Sequence, residues 1–249
     1  MKRLLLILLF TLFSLIGFGQ KLKSSISLGS NVFGGNYNSY IINTQMSFSQ
    51  DSTKVSWNLS PSFTFGQVDK QNTGNYVTNQ RESYLTGNIA HKFGRHRILG
   101  TTEIENSHLK KIQFRGSLGI GYGYDIYRSK KFILLVSEAI MPEAYNSDVN
   151  LDRNAFSLRF STRVKAEYIG KIKITSITLF QPSVLTIPNV PVHNNINLRS
   201  INSFELPIAK KISIGIVNNI NMSTFSTYID SSVKPIDWNV IFSVKLKNF

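Results

Sequence analysis

The chain has 249 residues, of which 42% are hydrophobic, and a formal net charge of +14 at pH 7. This length is ample for one large domain. The absence of cysteine excludes disulfides, thiolate metal sites and cysteine nucleophiles. The lysines and arginines are scattered and no nucleic-acid reader motif is present, so the positive charge does not predict a nucleic-acid partner.

The N-terminal segment predicts export. Residues 1–20 read MKRLLLILLFTLFSLIGFGQ, in which two basic residues precede an apolar run and small residues precede Gln20. This is the layout of a secretory signal peptide cleaved after Gly19. The apolar run is shorter than the roughly 20 residues of a spanning helix, and no cysteine follows it for a lipid anchor. We therefore predict a signal peptide at 1–19 and a mature domain at 20–249.

After this segment the chain reads as a series of alternating strands. About twelve segments of roughly ten residues alternate in polarity with a period of two, which is typical of a transmembrane barrel. The clearest is GSLGIGYGYDIY at residues 116–127. Its large apolar side chains share one strand face, and small or polar residues share the other. A soluble sandwich would bury the apolar face, whereas an outer-membrane barrel would turn it to lipid.

The connections favour the barrel. Short links such as QDSTK, KFGRHR and YRSKK alternate with longer ones such as MPEAYNSDVNLDRNAF, as in outer-membrane barrels with short periplasmic turns and longer outer loops. We predict an all-β, antiparallel up-and-down barrel with both termini in the periplasm. Leu118, Ile120, Tyr122 and Tyr124 should then face lipid, and the glycines between them should face inward to make room for bulky neighbours across a narrow lumen. Phase shifts in KFILLVSEAI and KIKITSITLF predict a β-bulge in each.

Inward-facing charges are the candidate functional residues. The predicted lumen-lining set, placed in one layer, is Glu103, Arg115, Glu138, Arg159, Arg163, Lys165, Glu167 and Lys173. Two interpretations stay open: a salt-bridge ladder that fills a narrow barrel, or a constriction that selects solutes by charge. Basic residues at the short turns should contact lipid headgroups or periplasmic water; they include Arg95, Arg97, Lys130, Lys131, Lys210 and Lys211.

No motif predicts catalysis, a metal or a cofactor. His91 and His96 flank one short turn, and His108 and His193 lie in or near outer loops, so they form no chelating helix pair. The glycine run of residues 119–123 is not followed by a helix, as a phosphate cradle requires. We predict no catalytic residue and no enzyme, and a lipid hydrolase is the least favoured alternative.

Three stretches carry a family resemblance: FRGSLGIGYGYDIY at 114–127, LFQPSV at 179–184 and SFELPIAKKISI at 203–214. They resemble the YdiY-like family of bacterial outer-membrane proteins of unknown function, also described as salt-induced outer-membrane proteins. The resemblance covers most of residues 23–249 and implies a barrel in the envelope, without any catalytic residue. The signal peptide resembles those of Bacteroidetes-type exported proteins. Phe249 fits the terminal aromatic assembly signal of such barrels, although it is out of phase with Leu246, which predicts a bulge near Lys247 or an inward or interfacial Phe249.

These observations predict a location in the outer membrane of a Gram-negative bacterium. The first functional hypothesis is a narrow passive channel for small, anionic solutes. The alternative is a closed structural or receptor barrel that binds a partner through its outer loops. The expected partners are outer-membrane lipids, the barrel-assembly machinery and a small solute, with no nucleic acid.

Overall fold

In a computed structural model of the protein, twelve antiparallel strands close into one barrel. The structure describes residues 22–33, 38–69, 77–108, 112–147, 155–187, 196–224 and 236–247. Within these ranges no helix is long and apolar enough to cross a membrane. The predicted signal peptide at 1–19 and the predicted assembly signal at Phe249 lie outside the described residues, so both stay predictions.

Each strand pairs with its neighbours in the sequence, and the last strand pairs with the first. The strands are β1 (Lys23–Phe33), β2 (Asn38–Asp51), β3 (Val55–Asp69), β4 (Val77–Phe93), β5 (His96–Ser107), β6 (Ile112–Arg128), β7 (Phe132–Ser147), β8 (Ala155–Ile169), β9 (Lys173–Ile187), β10 (Ile196–Pro207), β11 (Ile212–Ser223) and β12 (Ile236–Lys247). This confirms the predicted up-and-down topology and the even strand number. In the closing ladder, residues 25–30 of β1 pair with residues 242–247 of β12.

The two ends of the barrel differ in their connections. Tight turns at 51–55, 93–96, 128–132, 169–173 and 207–212 lie at one end, here called the short-turn end. In the turn between β4 and β5, Gly94 takes a positive φ of 66°, which only glycine adopts without strain. The other connections leave from the opposite end, called the loop end. Parts of the predicted long loops are strand, because β3 continues to Asp69 and β7 to Ser147.

The outer face of the barrel is apolar. Leu118 and Ile120 are 68% and 69% exposed, whereas Ser117 is buried. The prediction that the large residues of this stretch face outward and its glycines inward is therefore confirmed. Exposed aromatic side chains lie on the outer face toward the short-turn end, namely Phe93, Tyr122, Tyr124, Phe132 and Tyr168. Such a girdle is typical of the membrane interface of transmembrane barrels.

The inward glycines of β6 bring β7 close. A Cβ atom on Gly119 would lie 2.5 Å from the Met141 Cγ, and one on Gly121 would lie 2.7 Å from the Ala139 Cβ. Both neighbours belong to the adjacent strand β7, so the prediction that these glycines make room for residues across the lumen is wrong. They allow β6 and β7 to approach closely, with Met141 against Gly119 and the backbone of β7 against Gly121.

The bulges predicted in β7 and β9 do not occur within the stretches that suggested them. Strand β7 keeps its alternation, with Leu135, Ala139 and Met141 all buried on the inner face. Along β7 the residues on each face change from apolar to polar or back, but the alternation of inward and outward side chains continues without a break. Register shifts occur instead between Asp125 and Tyr127 of β6, and in the pairing of β8 with β9 next to Arg159.

Candidate functional site in the barrel lumen

The inner wall of the barrel has two unlike halves. On β5–β9 the inner side chains toward the loop end are large and buried, and they include Glu103, Glu105, Arg115, Met141, Glu143, Arg159 and Gln181. On β1–β3 most inner side chains are small and polar and stay half-buried or exposed, although Thr64 is buried; the accessible ones include Ser25, Ser27, Asn43, Gln45, Ser47, Asn58, Ser60 and Ser62. We call these the filled half and the open half. The lumen is therefore eccentric, with its accessible surface along β1–β3.

The filled half contains a buried charge cluster. Arg115 lies 2.9 Å from a Glu105 carboxylate oxygen, 3.7 Å from Glu103 and 3.6 Å from Glu143. Arg159 lies 2.8 Å from the same Glu143. These five side chains are each less than one-tenth exposed. Buried charges require such mutual pairing, because an isolated one would be strongly destabilising.

Some contacts cross the lumen between strands that are four or more apart in the ring. The Arg199 guanidinium of β10 lies 3.8 Å above the ring of Tyr84 on β4, and these strands are opposite each other in the ring of twelve. Gln181 Nε2 donates to Glu103 Oε1 at 3.4 Å. Arg163 Nη1 donates to Asn88 Oδ1 at 3.2 Å. Together they fill the lumen on the side of β5–β9 and separate it from the open half.

The interior beside Tyr84 and Arg199 holds a small cavity. Its volume is about 20 Å³, and its lining includes Glu103, Arg115 and Asn197. A space of this size holds about one water molecule. The loop-end part of the filled half is therefore packed, with no room for a solute at this cavity.

The short-turn end carries three charge clusters of a single pattern, in which one carboxylate binds two cations. Asp125 binds Arg97 at 2.7 Å and Arg128 at 2.6 Å. Glu167 binds Lys165 at 2.5 Å and Lys173 at 2.8 Å. Glu205 binds Lys245 at 3.4 Å and also Lys247. Each two-cation cluster has a net charge of +1, so this mouth of the lumen is electropositive.

The structure places seven of the eight predicted lumen-lining residues on the inner face, but in separate layers. Glu103, Arg115 and Arg159 lie in the buried charge cluster, and Lys165, Glu167 and Lys173 form one two-cation cluster. Arg163 lies between these layers on β8 and reaches Asn88. The prediction that these residues lie in one layer is wrong. Strands tilt relative to the barrel axis, and this tilt sets which residues of distant strands lie at the same height.

Glu138 lies on the outer face, so its predicted position in the lumen is wrong. It is exposed and pairs in register with Tyr122 and Thr162. Its Oε2 accepts a hydrogen bond from Thr162 Oγ1 at 2.8 Å. The reason is the phase of β7, whose inward positions are the odd-numbered residues, among them Ser137, Met141 and Glu143, so that Glu138 falls on the opposite face.

Sequence reasoning missed several inner residues. Glu105 and Glu143 complete the buried charge cluster, and Arg199 with Tyr84 spans the lumen. Glu105 could have been predicted, because it lies two residues from Glu103 and alternation places both on the same face of the strand. Arg97, assigned to the headgroups, instead points inward to Asp125. The remaining predicted turn residues are exposed at the short-turn end, and they are Arg95, Lys130, Lys131, Lys210 and Lys211.

The histidines do not gather in the lumen. His96 packs against outward aromatic rings, with its ring centroid 5.2 Å from that of Tyr124. His91 and His108 are exposed, and His193 lies outside the described residues. In the part of the chain that the structure describes, no group of three or more histidine or carboxylate side chains could hold a metal ion.

The sequence matches a family model over most of its length. The model, described as "Protein of unknown function, DUF481", matches residues 26–224. The chain belongs to the DUF481 family. No curated protein matches the chain. The family match therefore assigns the chain to a family but gives it no activity.

Solved structures of outer-membrane barrels are similar in fold. The NanC porin structure has a TM-score of 0.54 and 10% identity, and the alignment covers 92% of this chain and 100% of that chain. The translocator domain of the autotransporter NalP from Neisseria meningitidis has a TM-score of 0.48 and 9% identity, covering 95% of this chain and 91% of that chain. At such identities the similarity concerns the fold alone.

Proposed function

We propose that the protein is a narrow passive channel for small anionic solutes in the outer membrane of a Gram-negative bacterium. The observation that carries this proposal is the open half of the lumen, where small polar side chains of β1–β3 stay accessible. The apolar outer face and the similarity in fold to the NanC porin structure support the membrane location. Membership of a YdiY-like branch and a Bacteroidetes-type origin belong to the same proposal.

The open half offers a hydrated path. Its hydrogen bonds run along the wall between neighbouring strands: Asn43 Nδ2 donates to Thr64 Oγ1 at 2.7 Å, and Asn58 Nδ2 donates to Ser47 Oγ at 3.1 Å. Hydroxyl and amide groups held in this way keep further donor and acceptor positions for water. The filled half occupies the opposite side of the lumen, so the path along β1–β3 is narrow.

The anion preference follows from the charges at the short-turn end. Each two-cation cluster leaves one uncompensated positive charge. Arg163, which lies between these clusters and the loop end, contributes a further guanidinium, and its Nε has no hydrogen-bond partner among the described residues. A low-dielectric wall that carries such charges raises the local anion concentration and repels cations. The buried charges nearer the loop end contribute little to the anion preference. The carboxylates of Glu103, Glu105 and Glu143 are balanced there by the guanidiniums of Arg115, Arg159 and Arg199.

Purified protein in planar bilayers under a salt gradient tests the proposal. We expect a small steady conductance, a reversal potential that favours anions, and a preference that weakens as salt screens the charges. Cation preference in the unmodified protein would contradict the charge argument.

A closed structural or receptor barrel is the second candidate, and the Arg199–Tyr84 contact across the lumen favours it. Silence in the same bilayers, from protein shown to be folded, would support this candidate. We do not propose an enzyme. Turnover of outer-membrane lipid by the purified protein would contradict that part of the proposal.

A further inference from the structure

The outer faces of β7–β11 carry a band of polar residues within the apolar belt. We call it the polar stripe, and its members are Glu138, Thr162, Ser176, Thr178, Ser200, Asn202 and Asn218. They lie in the middle part of their strands, except Ser176, which is the fourth residue of β9. Their outward direction follows from alternation, because Ile140, Phe204 and Ile216, two residues from stripe members, are exposed. The stripe therefore crosses five neighbouring strands at a similar height.

Hydrogen bonds connect members of the stripe to each other. Thr162 Oγ1 donates to Glu138 Oε2 at 2.8 Å. Ser176 Oγ donates to Asn202 Oδ1 at 2.7 Å, and Asn202 Nδ2 donates to Ser200 Oγ at 3.1 Å. Asn218 lies beside Asn202 in the register of β10 and β11, and its Oδ1 is buried without a hydrogen-bond partner among the described residues.

The surroundings of the stripe make it anomalous. Apolar residues flank it on both sides along the strands, with Ile174 and Phe204 toward the short-turn end and Phe180 toward the loop end. The outer face of β3, on the other side of the barrel, is apolar at the same depth and exposes Phe63. Hydrocarbon offers no hydrogen bonds, and charged side chains there are unfavourable. A carboxylate and two amides at this depth indicate a polar partner in place of lipid.

We propose that this partner is a second copy of the chain, and that two barrels associate through their polar stripes. Hydroxyl and amide side chains both donate and accept, so a surface made of them can pair with its own copy. Close packing of small residues and hydrogen bonding drive association inside a bilayer. A twofold axis along the membrane normal near β9 brings the β9 strands of the two barrels together, with β8 of each barrel opposite β10 of the other. This inference of a dimer does not depend on whether the lumen conducts ions.

Cysteine cross-linking tests the geometry without altering the stripe chemistry much. The chain has no cysteine, so a single Thr178→Cys substitution near the proposed axis reports only its own contacts. We expect mild oxidation of folded protein in phospholipid vesicles to give a covalent dimer, at least about tenfold more than the matched control Phe63→Cys on β3. Equal yields from the two positions, or no dimer from either, would overturn the proposal.

Substitution of the stripe tests its energetics. Asn202→Leu combined with Asn218→Leu removes two amides, and we expect the dimer fraction in lipid nanodiscs, measured by mass photometry, to fall about tenfold in association constant. The control is Thr44→Leu on the outer face of β2, which should leave it unchanged. A monomeric unmodified protein at every concentration, or unchanged association of a folded double variant, would contradict the inference. If the double variant fails to fold, the cross-linking result decides alone.

Discussion

A lysine placed on the outer face of β6 should be far more destabilising than one placed on the inner face of the same strand. Ile120 is 69% exposed and lies between Leu118 and Tyr122 in the apolar belt. Ile120→Lys puts a charge into hydrocarbon, which costs about 2–4 kcal/mol near the bilayer midplane. We expect the free energy of unfolding to fall by about that amount.

Ser117→Lys is the matched change on the inner face. Ser117 pairs in register with Glu103 on β5 and with Glu143 on β7. An ammonium added at this position therefore has a carboxylate on the neighbouring strand on each side. We expect a loss smaller than that of Ile120→Lys by about 1 kcal/mol or more, because opposite-charge cross-strand pairs contribute roughly 0.2–1 kcal/mol each and no charge enters lipid.

Urea unfolding of the two variants in phospholipid vesicles, followed by tryptophan fluorescence, measures this difference. Both substitutions introduce the same residue into one strand, so changes of the unfolded state largely cancel. Gly119 and Gly121 are unsuitable as inner controls, because a side chain there would overlap Met141 or Ala139. Equal destabilisation, or a larger loss for Ser117→Lys, would refute the assignment of faces.

Three further predictions follow from the lumen and the N-terminus. Ser60→Tyr should lower the conductance several-fold, because it puts a ring into the open half, whereas Leu59→Tyr on the outer face should not; equal conductances would contradict the proposed path. Glu167→Gln should strengthen anion preference, since it leaves two lysines without their carboxylate, and a reversal potential shifted the other way would argue against the two-cation clusters as the selective element. The mature protein should begin at Gln20 and fractionate with the outer membrane, and N-terminal sequencing that finds residue 1 intact would disprove the predicted cleavage.

The strand pattern of β6 was readable from sequence because its two faces differ completely in chemistry. Every outward residue of residues 117–124 is large and apolar, and every inward one is glycine or serine. Alternation in polarity then reports direction without ambiguity. The same rule failed on β7, where Glu138 faces outward while Met141 faces inward. Polarity reports direction where the inward residues are small or polar, as on β6, and misreports it where an apolar side chain such as Met141 points inward and a carboxylate points outward, as on β7.

The grouping of the inner charges could not be predicted, because it depends on which residues come to the same height. Strand register follows from turn geometry, but the tilt and stagger of a closed barrel set the offset between distant strands. Glu105 of β5 and Glu143 of β7 meet at Arg115, and Arg199 of β10 meets Tyr84 of β4. The alternation pattern of a single strand contains no information about such partners.

The closing ladder has a mechanical consequence. Strands β1 and β12 pair over six residues, whereas β1 and β2 pair over eleven, and the β1–β12 ladder is the shortest among the described strands. Lys245 and Lys247 of β12 bind Glu205 on β10, which holds β12 to its other side. Separation of β1 from β12 thus breaks the fewest backbone hydrogen bonds and leaves these ion pairs intact. The barrel wall is therefore weakest between β1 and β12. Mechanical stress should separate these two strands, and so open the barrel into a curved sheet, before it separates the strands of any hairpin.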